Sequence, residues 1–147
     1  MSDLDVDHLF QKGMEALAAH QTLAALTWFE RAAAVGDSPS VRSCLAYLLA
    51  RERGQLRKAL LLCQGAITQE PHNYLHHLNL GRILLLAGDK SKALVTLRHS
   101  MELSPQPDVI AELQRLGVRK PPPFPSLPRN NPLNKFFGLI LSRLRLR

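Results

Sequence analysis

Tyr74 to Pro105, YLHHLNLGRILLLAGDKSKALVTLRHSMELSP, is the stretch whose reading decides the fold. Leu75, Leu78, Leu80, Gly81 and Leu84 carry a helical period, Gly88-Asp89 breaks it, and Ala93, Leu97 and Met101 run along a second helix ending at Pro105. Shifted back by 34 residues, the positions of Gly81, Gly88, Ala93, Leu97 and Pro105 land on Tyr47, Gly54, Ala59, Cys63 and Pro71. A second shift lands on Gly13, His20, Ala25, Phe29 and Asp37. A helix pair recurs three times in phase.

A 34-residue helix–turn–helix with an early Gly, Gly-Asp at the turn, Ala and a bulky residue in the second helix and a closing Pro resembles the tetratricopeptide repeat. Three repeats, about 6–39, 40–73 and 74–107, cover roughly seven-tenths of the chain. The third matches best. The second carries Tyr47 where the family prefers Gly and Ala50 where it prefers a bulky aromatic, as if large and small partners had traded places. The first has His20-Gln21 at the turn and Asp37 in place of Pro.

Outward from the repeats, Asp108–Leu116 places Val109, Ile110, Leu113 and Leu116 at helical spacing before Gly117, a short helix suited to cover the apolar edge of a last repeat. The expected organisation is an all-α, right-handed solenoid over 1–118 with its cap at 108–117. At 147 residues there is core for six or seven short helices and no second independent domain. Toward the N-terminus, Ser2, Asp3, Asp5 and Asp7 surround the start of the first helix, where acidic groups complement its dipole.

Charge separates this domain from the C-terminal remainder of the chain. The net +7 comes entirely from Arg119, Lys120, Arg129, Lys135, Arg143, Arg145 and Arg147; the remaining twelve basic residues balance the twelve acids. Six of ten prolines fall in 119–132, which excludes a helix and predicts a polyproline-like spacer. Such a spacer of 14 residues reaches on the order of 40 Å. In 133–147, Leu133, Phe136, Phe137, Ile140, Leu141 and Leu144 fall on one helical face, with Arg143, Arg145 and Arg147 off it or at its end. This basic amphipathic tail suits docking to an anionic membrane surface or a protein, and could instead occupy its own domain's groove. Nucleic acid is disfavoured, since the basic residues do not spread over a folded face with stacking aromatics.

The resemblance implies a concave groove lined by the first helix of each pair. Its positions fall on Asp7, Phe10, Met14, Leu17 and Ala18; on Val41, Cys44, Leu48, Arg51 and Glu52; and on Leu75, Leu78, Arg82, Leu85 and Leu86. The family's clamp for a C-terminal carboxylate uses Lys and Asn where this chain has Phe10, Met14, Leu45, Leu48 and Leu75, so chaperone-type acidic C-termini are not expected guests. An apolar groove fits a partner helix or an extended hydrophobic segment. The competing reading puts Leu78, Leu85 and Leu86 in the core. Leu48→Glu or Leu78→Glu separates the two, stripping partner capture in one case and unfolding the domain in the other.

Other constellations carry less. Cys44 and Cys63 read as small buried hydrophobes of a reducing compartment rather than a disulfide or zinc framework. His72 and His76 have i, i+4 spacing without companion ligands, and His72, His76 and His77 read as solvent-facing or cap-adjacent. Trp28 and Phe29 read as core. Arg119 to Pro125 fits a basic-x-x-Pro-x-x-Pro form, read here as a stiff linker. No nucleophile–base pair, phosphate loop, cofactor site or metal site is indicated. The N-terminus lacks a secretory pattern and no stretch is long and apolar enough to span a bilayer, so a cytoplasmic protein, free or peripheral to the membrane, is expected. The reading is a non-catalytic adaptor, with a secretion-type cargo chaperone as second choice and a regulatory subunit or an enzyme with an unrecognised site as the rival of another class.

Overall fold

A computed structural model describes residues 3–117; the proline-rich segment and the basic tail lie outside the described residues. Seven helices follow one another among them: α1 (Asp3–Ala18), α2 (Thr22–Val35), α3 (Pro39–Arg53), α4 (Leu56–Gln69), α5 (Tyr74–Leu86), α6 (Lys90–Leu103) and α7 (Pro107–Arg115). No strand occurs among the described residues. The architecture is all-α, as the 34-residue period predicts.

Local chemistry sets the ends of these helices. Ser38 caps α3 through Val41 N and is followed by Pro39 in the first turn, where its missing N–H costs nothing. Asn73 caps α5 through Leu75 N, and Asp89 caps α6 through Lys92 N, each at 3.1 Å. The turn inside each pair needs one left-handed residue. Gly54 (φ 65°) and Gly88 (φ 84°) supply it in the second and third pairs, and His20 (φ 58°) supplies it in the first, where a side chain must bear the strain.

Residues to Leu113 form one compact unit. Within it α1 packs on α2, α3 on α4 and α5 on α6; α2 joins the first pair to α3, while α3 and α4 both pack on α5. Close approach inside a pair depends on one small residue facing one large residue. A Cβ on Gly13 would stand 2.6 Å from the Phe29 ring, and one on Gly81 would stand 2.6 Å from the Leu97 side chain. The second pair holds Tyr47 and Cys63 at those two positions, both buried, with the large residue on the first helix and the small one on the second.

Candidate protein-binding groove

The groove positions separate along the helices. Val41, Cys44 and Leu48, spread along α3 up to its last turn, and Leu75 and Leu78, near the start of α5, are buried. They therefore lie within the wall and do not line its surface. Five successive residues on each helix are buried, Ala46–Ala50 on α3 and Leu75–Asn79 on α5, because neighbours cover these central helices on several sides. Leu48 and Leu78 have no accessible surface, so a Glu at either site would test the core rather than a binding face.

Toward the C-terminal ends the same helices open to solvent. Leu17, Arg51 and Leu85 occupy one position 34 residues apart in successive pairs, and all three retain exposure. Phe10 and Met14 on α1 and Arg82 on α5 are half-buried, while Ala18 and Leu86 beside this row are exposed. Asp7 is exposed at the outer end. Phe10 is steadied from beneath by an edge-on contact with Phe29, ring centres 5.8 Å apart. The tail residues Phe136, Phe137, Ile140, Leu141, Arg143, Leu144, Arg145 and Arg147 lie outside the described residues.

Polar chemistry beside these exposed last turns centres on the buried Tyr47. The Arg82 guanidinium stands 5.1 Å from the ring centre of the buried Tyr47, an arrangement worth about 1–2 kcal/mol between groups this shielded. Its Nε donates to Glu112 on α7 at 2.9 Å, with both side chains largely shielded. Arg51 donates to the Tyr47 hydroxyl at 3.5 Å and lies 3.5 Å from Glu52. Two cations and two carboxylates thus punctuate an apolar row, giving it orientation without net charge.

Behind that surface lies a polar strut that sequence reasoning missed. His76 and His77 lie in the first turn of α5 beside its Asn73 cap, as the cap-adjacent alternative has it, but His76 is fully buried and His77 nearly so, which corrects the solvent-facing alternative; of the three, His72 alone is exposed. His76 Nε2 donates to Glu70 at 2.8 Å, and Nδ1 meets the Ser43 hydroxyl at 2.8 Å. Ser43 also accepts from Asn79 at 3.2 Å and lies within 3.3 Å of the Ser40 carbonyl. Cys63 points its thiol at the His76 carbonyl, and Asn79 reaches the Cys44 sulfur. Burial pushes both thiols up to about 12, so Cys44 and Cys63 stay protonated and inert.

Glu70, His76 and Ser43 have the connectivity of a nucleophile relay, but Ser43 has no accessible surface and no substrate atom can approach its Oγ. The group ties α3 to the start of α5. No cluster of three or more His, Cys, Asp or Glu suited to a metal occurs among the described residues. Phe29 is core as expected, whereas Trp28 stays half-exposed beneath the Arg31 guanidinium, 5.2 Å from its ring. No helix among the described residues is long and apolar enough to cross a membrane.

Comparison with known proteins agrees with this geometry. A sequence model described as tetratricopeptide repeat matches residues 50–116. Among solved structures, the Arabidopsis OM64 TPR domain superposes with a TM-score of 0.56 at 20% identity, covering 76% of this chain and 93% of that domain. A Thermobaculum terrenum O-GlcNAc transferase mutant superposes with a TM-score of 0.60 at 22% identity, covering 82% of this chain and only 25% of the transferase chain. No curated protein matches in sequence.

Proposed function

Since the chain is a tetratricopeptide-repeat protein and such repeats are in general protein-interaction modules, we propose that it is a non-catalytic adaptor holding a helical or extended hydrophobic segment against the accessible last turns of α1, α3 and α5. The observation that carries this is the row Leu17, Arg51 and Leu85. One residue per helix pair stays accessible at a fixed step, while the more N-terminal positions of α3 and α5 are sealed. A partner segment laid across three pairs meets an apolar, a cationic and an apolar station in turn.

Apolar stations reward burial of a guest side chain by about 25 cal/mol per Å². Arg51 is half-exposed and is the station able to select a guest with an acceptor opposite it. The transferase in the structural comparison is an enzyme, but the likeness extends to a quarter of its chain and concerns the fold alone.

The test compares affinity capture by the full chain with capture by Leu17→Lys and Leu85→Lys variants. Both should lose their captured partner while keeping their far-UV circular dichroism, and Leu61→Lys, an exposed site on α4, should keep it. Equal capture by all four proteins rejects the groove.

The sequence of 133–147 supports a second element of the proposal: its apolar and arginine-bearing composition fits docking to an anionic membrane surface or to a partner. Co-sedimentation with vesicles rich in phosphatidylserine, comparing the full chain with one ending at Gly117, tests the lipid option. Equal pelleting of the two eliminates it.

A further inference from the structure

The second helices of the last two pairs turn a different surface outward. Leu61 on α4 and Val95 on α6 hold the same repeat position, 34 residues apart, and are 65% and 68% exposed. At 3.6 residues per turn, Arg57 and Lys58 stand one turn before Leu61, and Lys92 and Arg98 stand one turn before and one turn after Val95. All four cations are exposed, so they frame the two apolar residues on one outward arc. With Lys90 they make five cations on helices whose only acid is Glu102, in a domain whose charges balance. Arg42, Arg51, Arg53 and Arg82, on the first helices, each lie against a carboxylate. Arg57, Lys58 and Arg98 pair with none among the described residues, and Lys92 has only Asp89, at 3.8 Å. The open cleft between α4 and α6, lined in part by Ile67 and Leu80, holds no carboxylate either.

We propose that this outer face of α4 and α6 is a docking surface for an anionic phospholipid bilayer, distinct from the groove and from the basic tail. Charge complementarity sets the sign of the occupant, since unpaired cations on both helices await an anionic surface. The spacing of the apolar residues sets its kind. A protein interface closes over a contiguous apolar core depleted of charge. Here the two prominent apolar side chains stand on separate helices, each with cations one turn away. A headgroup layer suits that arrangement, because each apolar side chain enters the acyl boundary singly while the lysines and arginines beside it reach lipid phosphates.

Sedimentation of the full chain with vesicles containing phosphatidylserine, and with vesicles of phosphatidylcholine alone, tests the assignment. Binding to the first and not the second is expected. Lys58→Gln and Arg98→Gln, which break no ion pair, should each weaken the partition coefficient about 5-fold, the equivalent of about 1 kcal/mol for one cation at an anionic surface. Lys12→Gln, the same loss of charge on α1, should change it less than about 2-fold, because salt confines the attraction to about 8–10 Å. A nitroxide attached through Val95→Cys, with the native Cys44 and Cys63 buried, should report contact with lipid on the bound chain. Unaltered partition in both Lys58→Gln and Arg98→Gln assigns vesicle binding to the tail and overturns the proposal while leaving the tail's role intact. It is overturned equally by absence of binding, by an effect of Lys12→Gln as large as theirs, by a label that stays in water, or by retention on polyglutamate in place of vesicles, the mark of an acidic protein partner.

Discussion

The two junctions between successive helix pairs are built from different materials. Between the first and second pairs, Val6, Ala32 and Val41 form an apolar cluster flanked by Leu9, Phe10 and Val35. Between the second and third, Ser43, His76 and Asn79 are fully buried and hydrogen-bonded, with Glu70 reaching in from solvent. Apolar packing accepts several near-equivalent registers, because each displaced methyl group finds another hydrocarbon surface. A hydrogen-bonded histidine accepts one register, since a small slide leaves a donor and an acceptor without water or partner. The pair of junctions shows how one repeat unit can be joined by adhesion on one side and by alignment on the other.

The largest expected effect breaks the adhesive side. Val41 is 1% exposed, and Val41→Glu places a carboxylate there with no cation in its apolar cluster. The loss should be about 3–5 kcal/mol, most of the stability of a domain at the lower end of the ordinary range of about 5–15 kcal/mol, visible as a large fall in the urea midpoint or as lost helicity at 25 °C. Persistence of a cooperative fold would show that the first junction opens readily to water. On the aligned side, His76→Leu keeps much of the volume while stripping Ser43 and Glu70 of their shared ring. A cost of about 1–3 kcal/mol in urea unfolding is expected. Stability equal to the parent's would mean that the strut adds register without strength.

A third expectation concerns acid. Burial lowers the pKa of His77 below its usual 6.5, so the unfolded chain binds the proton more readily than the folded one. The stabilisation is complete above pH 6.5 and is lost as pH falls through the lower folded value. Thermal melts between pH 7.5 and 5 should show the parent's midpoint falling, with a shallower fall for His77→Gln; identical slopes would remove His77 as the cause. The smallest effect belongs to the first pair's turn. His20→Gly relieves a positive φ that its counterparts Gly54 and Gly88 carry without strain, and should raise stability by about 0.5–1 kcal/mol. A decrease would indicate that the His20 side chain contributes interactions of its own.

The helices were legible because the signals that define them are local and recur. Gly13, Gly81, Phe29 and Leu97 mark the close approach within pairs, and Gly54 and Gly88 mark the turns inside the second and third. The faces of the first helices of the pairs were less legible. Reading α3 and α5 as amphipathic assigns one face to solvent, yet the runs 46–50 and 75–79 are buried all round, since a middle helix in a stack has little outside face. The same geometry hid His76: its partners Ser43 and Glu70 lie 33 and 6 residues away, and nothing in the local pattern pairs them. The Leu17, Arg51 and Leu85 row could be placed from family positions, but its accessibility depends on how the helices pack.

The swapped bulk of the second pair bears on how this chain could have changed over time. In the outer pairs a ring or branched chain on the second helix presses onto bare backbone of the first; in the middle pair Tyr47 sits on the first helix and Cys63 on the second. Passing from one arrangement to the other by single steps is hazardous in either order, because Tyr arriving at Gly81 would strike Leu97, and Leu97 shrinking first would leave a void. Replacement at these two positions is therefore tolerated in couples more readily than singly.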